Sequence, residues 1–180
     1  IEDEETDAKG DATLDGKRPG RIDVAGLQDL YGGASTGVQS IELVDALKAL
    51  PDAVYPADPQ PEFVALSPNG RTAAVTLQEN NHLVLVDLAT GKVTRDFTAG
   101  QVSLTQIDLT DERPNQVNLT ESLSNRLREP DGVTWVSTSQ FVTANEGDLD
   151  GGSRGFTLFN TDGSVAYDAG NTMEHLMARI

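Results

Sequence analysis

Four glutamates recur at related places along the chain: Glu62, Glu79, Glu129 and Glu146. Glu79 and Glu146 each follow a short apolar run, and Glu62 and Glu129 each stand at the entry to another such run. Carboxylates repeated around a ring can share a hard cation or hold the metal that binds a phosphate ester. The alternative is architectural, with each carboxylate accepting backbone N–H bonds from a neighbouring repeat. The sequence leaves both interpretations open.

Further acids are concentrated in two loops. Residues 1–15 hold seven carboxylates, and residues 145–152 read Asn-Glu-Gly-Asp-Leu-Asp-Gly-Gly. Calcium binds about six to eight oxygen ligands, some of which backbone carbonyls of Gly-rich turns supply. We therefore predict a Ca²⁺ site with the candidate ligands Glu2, Asp3, Glu4, Asp148 and Asp150. The alternative is that both segments are solvated acidic loops without a bound metal. The later ligands of an EF-hand are missing, so the sequence does not match that calcium-binding motif.

The composition excludes several classes of function. The chain of 180 residues carries 13 Lys and Arg against 29 Asp and Glu, a formal net charge of −16. This charge argues against nucleic-acid binding and favours cationic partners. No apolar stretch is long enough to span a bilayer. With no cysteine, thiol chemistry and thiolate metal sites are excluded.

A four-strand repeat supplies the framework that must position the acids. Residues 67–70 read Ser-Pro-Asn-Gly, which is typical of a tight turn, and short apolar runs lie on both sides. Residues 83–86 are continuously apolar, as expected of a strand buried on both faces. The predicted strands cover residues 63–66, 72–77, 83–87 and 92–97. Four short antiparallel strands with tight turns are typical of one propeller blade.

The same pattern returns later in the chain, after an insertion. Glu79 and Glu146 align when the second copy is shifted by 67 residues. Within the insertion, Leu119, Leu123 and Leu127 have a spacing of four, which predicts a short helix over residues 118–129. The fold class predicted is all-β: a β-propeller fragment of four-stranded antiparallel blades, with one short helical insertion.

The repeat divides the chain into four parts. The division is 1–60, a partial blade with an acidic loop and connection; 61–100, a complete blade; 101–128, the insertion with its helix; and 129–180, a blade and truncated continuation. In such a blade the loop after the second strand and the connection into the next blade emerge at the same end. Both acidic loops and all four glutamates belong to these two loop classes. We therefore expect one acidic binding face.

Two strings resemble a known family. Residues 61–81, followed by 84–93, are similar to the first hallmark of choice-of-anchor I proteins, which are related to YVTN-type propeller repeats. Residues 142–148 are similar to the second hallmark, and the acidic run at residues 1–5 fits an earlier blade of phytase-like esterase relatives. The resemblance implies a seven-bladed propeller that is secreted, periplasmic or on the cell surface. Relatives are described either as alkaline phosphatases or phytase-like esterases, or as cell-surface glycoproteins of biomineralisation.

Two functions follow from the acids and the resemblance. The first is a non-catalytic propeller that binds calcium, mineral or a cell-surface partner, in contact with the remaining blades of its parent protein. The second is a metal-dependent phosphoric-ester hydrolase, in which Glu79, Glu146 and Asp148 hold cations that bind phosphate and activate water. A net charge of −16 repels a free phosphate ester, so the second function requires bound metal.

Overall fold

The computed structural model describes residues 52–110, 116–147 and 153–177, together with the backbone of two short strands. These two strands, β1 (Arg21–Asp23) and β2 (Ser40–Glu42), pair antiparallel. Ten further strands and one helix follow: β3 (Pro61–Leu66), β4 (Thr72–Leu77), β5 (His82–Asp87), β6 (Lys92–Thr98), β7 (Gln101–Ile107), β8 (Glu121–Leu127), β9 (Pro130–Trp135), β10 (Gln140–Asn145), β11 (Gly155–Asn160), β12 (Val165–Asp168) and α1 (Gly170–Met177).

Two four-stranded antiparallel sheets dominate the described structure. In the first sheet the order is β3-β4-β5-β6, and in the second it is β12-β11-β10-β9, so each strand pairs with its neighbours in sequence. The all-β prediction of four-stranded antiparallel blades is thereby confirmed, and the strands assemble a propeller-like fragment. The tight turn predicted after β3 forms as expected, with the Gly70 N–H donating to the carbonyl of Ser67 at 2.8 Å.

The centre of the first sheet is buried on both faces, as its apolar sequence predicts. Side chains alternate between the faces of a strand. On one face Ala73, Val75 and Val84 pack together, each at most 1% exposed. On the other face Leu83 and Leu85 pack against the second sheet.

Aromatic side chains fill the space between the two sheets. Phe141 and Phe159 of the second sheet are fully buried, with ring centroids 5.8 Å apart. Phe97 of the first sheet lies 6.4 Å from Phe141 and 5.9 Å from Phe159. Tilted arrangements at these separations are favourable for aromatic rings. The sheets are thus joined by an apolar core.

Hydrogen bonds also cross between the sheets. The Arg95 guanidinium donates to the carbonyl of Asp162 at 3.4 Å, on the side where the tight turns lie. Next to it, Gly163 adopts a φ of 91°, and a Cβ there would approach the Phe97 ring to 2.9 Å. A glycine is therefore required by both backbone and space at this contact.

The helix predicted over residues 118–129 is wrong. Residues of this segment form β8, which pairs antiparallel with β7 as a two-stranded sheet. A spacing of four places Leu119, Leu123 and Leu127 on one side of a helix, but Leu119 lies before β8, and an irregularity in the register of β8 puts Leu123 and Leu127 on opposite faces of the strand. Leu123 pairs with Leu104, which is 2% exposed. Pairing with β7 therefore defines this segment, and the leucine spacing does not.

The helix α1 lies instead after the last strand, at Gly170–Met177, and packs against β7. Asn171 accepts a hydrogen bond from the Thr105 N–H at 3.0 Å, and its amide donates to the Thr105 hydroxyl at 3.1 Å. The ring Nε2 of His175 lies 2.8 Å from the carbonyl of Gln106, whose φ is 54°. No helix in the described part of the chain has the length and apolarity needed to cross a membrane.

Candidate functional site

The acidic ends of the two sheets meet through Gln78 and Glu146. The Gln78 side-chain amide donates to a carboxylate oxygen of Glu146 at 2.7 Å, across 68 residues of sequence. Gln78 directly follows β4, which ends at Leu77, and Glu146 directly follows β10, which ends at Asn145. Glu146 thus corresponds in the repeat to Gln78 and not to Glu79, so the sequence alignment of the two glutamates is wrong by one residue.

Asp131 lies beside this bridge. It is the second residue of β9, after Pro130, just as Glu62 follows Pro61 in β3. Its backbone carbonyl accepts a hydrogen bond of 2.6 Å from the Thr76 hydroxyl of the first sheet. Burial raises the pKa of the half-buried Asp131 carboxyl, and the charge of Glu146 raises it further. Asp131 and Glu146 therefore form an interacting pair of carboxylates.

Two residues that precede Asp131 in the chain, Arg128 and Glu129, are held in place by hydrogen bonds to Asn81. The side-chain oxygen of Asn81 accepts hydrogen bonds from the backbone N–H groups of Arg128, at 3.1 Å, and Glu129, at 2.9 Å. Glu129 is fully buried, and its carbonyl accepts the Glu146 N–H at 3.1 Å. Asn81 itself has a φ of 48°, which Asn tolerates better than most residues.

The Arg128 side chain makes its hydrogen bonds to groups other than Asp131 and Glu146. Its Nε donates to Asp168 at 2.8 Å, and its terminal nitrogen donates to the carbonyl of Ala99 at 2.6 Å. A Cβ at Gly100 would lie 2.9 Å from the same guanidinium. Arg128 is 7% exposed, so this ion pair is largely removed from water. It fixes the connection between the sheets and does not neutralise Asp131 or Glu146.

A chain of polar side chains continues from Asp168 into the second sheet. The hydroxyl of Thr157 donates to the Asp168 carboxylate at 3.1 Å and accepts from the Asn145 amide at 2.9 Å. The Asn145 oxygen accepts from the Thr143 hydroxyl at 3.0 Å. Buried polar groups require such partners, because an unpaired group loses its hydration without compensation. The network fixes the strand that ends beside Glu146.

His82 is a buried titratable group outside this site. It is 1% exposed, and its Nε2 lies 3.3 Å from a carboxylate oxygen of Asp96. Its other ring nitrogen has no hydrogen-bond partner within the described residues. Burial lowers the pKa of His82, and the hydrogen bond to Asp96 together with the charges of Asp96 and Asp52 opposes this effect only in part.

The structure groups the four sequence-predicted glutamates in two pairs. Glu62 is exposed and Glu79 half-buried, both at the end of the first sheet where Pro61 pairs with Leu77. Glu129 and Glu146 lie at the same end of the second sheet. Their role at the mouth of a channel stays a prediction.

The predicted calcium ligands Glu2, Asp3, Glu4, Asp148 and Asp150 lie outside the residues that the structure describes. Within the described ranges, no group of three or more His, Cys, Asp or Glu side chains is placed to hold a metal ion. Calcium binding accordingly stays a prediction.

Sequence reasoning missed Asp131 and Gln78. The signal for Asp131 was present, since a proline followed by an acid begins both first strands, Pro61-Glu62 and Pro130-Asp131. Gln78 has no such signal, because its importance comes from a hydrogen bond that only the packing of the two sheets creates.

The sequence model of the choice-of-anchor I domain matches residues 34–151, well over half of the chain. The chain belongs to the choice-of-anchor I family. The matched part of this choice-of-anchor I domain contains Gln78, Asp131 and Glu146. No curated protein sequence matches it.

Among solved structures, this choice-of-anchor I domain has a similarity to "Kuenenia stuttgartiensis Hydrazine Synthase". The identity is 16%, the alignment covers 61% of this chain and 35% of that one, and the TM-score is 0.26. This chain thus spans about a third of the length of the matched protein. At that TM-score, nothing about activity is transferred.

Proposed function

We propose that this choice-of-anchor I domain is a binding module of a secreted, periplasmic or cell-surface protein, and that its acidic end binds calcium. The observation that carries the proposal is the carboxylate pair Asp131 and Glu146, joined to the neighbouring sheet by Gln78. Residues from both sheets therefore contribute to one acidic end.

A hard cation would relieve two costs at this pair. Burial disfavours the charged form of Asp131, and Glu146 repels it. A bound Ca²⁺ offsets both, and carboxylate oxygens are ligands that it prefers. The formal net charge of −16 adds a long-range attraction for cations. The remaining coordination would come from loop carboxylates and carbonyls of the same end.

The described contacts favour binding over turnover. The chain has two histidines, and both are engaged away from the carboxylate pair. His82 lies against Asp96, and His175 lies against the carbonyl of Gln106. Arg128, three residues before Asp131, uses its guanidinium to bind Asp168 and the carbonyl of Ala99.

A metal-dependent phosphoric-ester hydrolase, related to phytase-like esterases, is the second candidate. One observation favours it: the pKa of the half-buried Asp131 carboxyl is raised by burial and by the charge of Glu146, and a raised pKa favours a carboxyl that accepts or donates a proton. This function needs bound cations to attract an anionic substrate.

A further sheet of the parent protein would complete the module. On the second sheet, Phe159 faces the first sheet, so the alternating Phe156 points to the opposite face. Phe156 is 39% and Tyr167 47% exposed, with ring centroids 5.8 Å apart. The corresponding outward face of the first sheet carries Leu83 and Leu85, which the second sheet covers. We propose that another blade covers the aromatic pair in the same way.

Calcium binding is tested by thermal unfolding of the chain in EDTA and then in millimolar CaCl₂. A ligand that binds only the folded state raises the apparent Tm. We expect such a rise in the wild type, a smaller rise in Asp131→Asn and Glu146→Gln, and an unchanged rise in the control Glu174→Gln, which alters an acid on α1. Equal calcium effects in all four proteins would refute a site at Asp131 and Glu146.

The hydrolase candidate is tested separately, with p-nitrophenyl phosphate and the same four proteins. Calcium-dependent turnover that falls in Asp131→Asn but not in Glu174→Gln would favour it over the binding module. A calcium-induced rise in Tm without turnover would favour the binding module.

A further inference from the structure

The turn between β3 and β4 contains a chemically labile dipeptide, Asn69-Gly70, the one Asn-Gly pair in the chain. Asn is a thermolabile residue. A following glycine makes it more so, because the backbone nitrogen of glycine is not shielded by a side chain. Asn69 is exposed at the tip of the turn.

The reaction needs only water and hydroxide. After the Gly70 nitrogen loses its proton, it attacks Cγ of Asn69, a new N–C bond forms, the Cγ–Nδ2 bond breaks and ammonia leaves. Water then opens the cyclic imide at either carbonyl. One opening gives aspartate and the other gives isoaspartate, in which the main chain runs through the former side chain. No redox step is involved.

The folded turn restrains both reacting groups. The Gly70 N–H donates to the carbonyl of Ser67 at 2.8 Å, which withholds the nucleophile. The Asn69 oxygen accepts from the Ser67 hydroxyl at 2.8 Å and from the Arg71 N–H at 3.1 Å, which holds Cγ in place.

Ser67 is central to this restraint. It is 2% exposed, and its hydroxyl both donates to Asn69 and accepts from the Thr72 N–H at 2.9 Å. Its backbone N–H donates to the carbonyl of Thr72, which closes the turn. We propose that Asn69 is a site of spontaneous deamidation whose rate is set by opening of this turn, and that the Ser67 hydroxyl keeps the turn closed.

Deamidation of Asn69 would affect the contact between the two sheets. Isoaspartate lengthens the main chain by one carbon in the turn that follows β3, whose Ala65 carbonyl accepts a hydrogen bond from the Trp135 indole at 2.9 Å. Trp135 is the single tryptophan of the chain. Its fluorescence therefore reports whether the altered turn disturbs the contact with the second sheet.

The experiment incubates the wild type, Ser67→Ala and the control Ser137→Ala at mildly alkaline pH, and follows residue 69 by peptide mass spectrometry and isoaspartate methylation. Ser137 lies in the corresponding turn of the second sheet. We expect isoaspartate at residue 69 before any other Asn, formed roughly tenfold faster in Ser67→Ala because two ordinary hydrogen bonds are lost. Ser137→Ala should react like the wild type.

A second measurement remains decisive if Ser67→Ala fails to fold. The rate at residue 69 in the folded wild type is compared with the rate in urea. We expect the folded chain to react at least several-fold more slowly, with a change in Trp135 fluorescence that follows the modification. Equal rates in both states, earlier reaction at another Asn, or no effect of Ser67→Ala in a folded variant would each overturn the proposal.

Discussion

The indole nitrogen of Trp135 donates a hydrogen bond to the backbone carbonyl of Ala65, joining the last residue of β9 to β3 of the neighbouring sheet at 2.9 Å. The Trp135 ring also lies 5.4 Å from Phe141, between centroids. One side chain therefore combines an apolar contact within the second sheet and a polar contact across the boundary.

Trp135→Phe tests this polar contact. The substitution keeps an aromatic ring and removes the indole N–H, so the Ala65 carbonyl loses the hydrogen bond that it accepts from residue 135. We expect a loss of about 1 kcal/mol in the free energy of unfolding, measured by urea denaturation followed by circular dichroism. Val136→Ala, at an exposed neighbouring position, is the control and should change stability by less than about 0.5 kcal/mol. An equally stable Trp135→Phe would show that the hydrogen bond is unimportant.

Arg128→Met should be the most destabilising of the changes considered. It removes both hydrogen bonds of the guanidinium and leaves the Asp168 carboxylate without its cation in a largely buried site. We expect a loss of about 3 kcal/mol in chemical denaturation, as for other broken buried ion pairs.

Arg154→Met is the matched control, because Arg154 is exposed. We expect it to have a small effect on unfolding. Similar losses in the two variants would mean that burial of the Arg128–Asp168 pair has no special importance.

His82 should make stability depend on pH. Its folded-state pKa is lowered from the ordinary 6.5, so the unfolded chain takes up a proton first as the pH falls. Stability is therefore fully present above pH 6.5 and decreases as the pH falls from 6.5 to the lowered pKa. Unfolding free energies measured in steps across this interval should show a slope that disappears in His82→Gln.

The control for this slope is His175→Gln, since His175 lies on α1, away from the buried site. It should keep the wild-type pH dependence. A slope that survives in His82→Gln would assign the effect to other groups.

Asp131→Asn should stabilise the chain when no calcium is present. The folded-state pKa of Asp131 is raised from 3.8, so its ionisation favours the unfolded chain as the pH rises through and above that range. Replacing the carboxylate by an amide removes both the burial cost and the repulsion by Glu146. We expect a rise in Tm of roughly 2 °C in EDTA at pH 7. A lower Tm in EDTA would contradict this reading of the carboxylate pair.

The first sheet was predictable because its signals agree with each other. Residues 67–70 have turn chemistry, and the run from Leu83 to Val86 is apolar at every position, as burial on both faces requires. Local pattern and global packing point to the same structure there. The second sheet follows by repetition.

Where a distant partner determines the structure, the local pattern was misleading. The leucine spacing of residues 118–129 predicts a helix, but the segment pairs with β7 as a strand in which Leu123 and Leu127 lie on opposite faces. The alignment of Glu79 with Glu146 rested on matching letters, whereas strand ends place Glu146 opposite Gln78. The Asp131–Glu146 pair follows from the pairing of β9 with β10 within the second sheet, whereas the Gln78–Glu146 bond depends on the packing of the two sheets, which no local pattern encodes.

The contacts within each sheet join residues that are closer in sequence than those joined by the contacts between the two sheets. Every strand of the two sheets pairs with its sequence neighbour, whereas the bonds Thr76–Asp131, Gln78–Glu146, Arg95–Asp162 and Trp135–Ala65 span 55–70 residues. Because local pairing requires less loop-closure entropy, we expect each sheet to form before the two dock. Substitutions at the boundary between the sheets should then mainly speed unfolding and leave the folding rate almost unchanged. The lifetime of the assembled domain is set at that boundary.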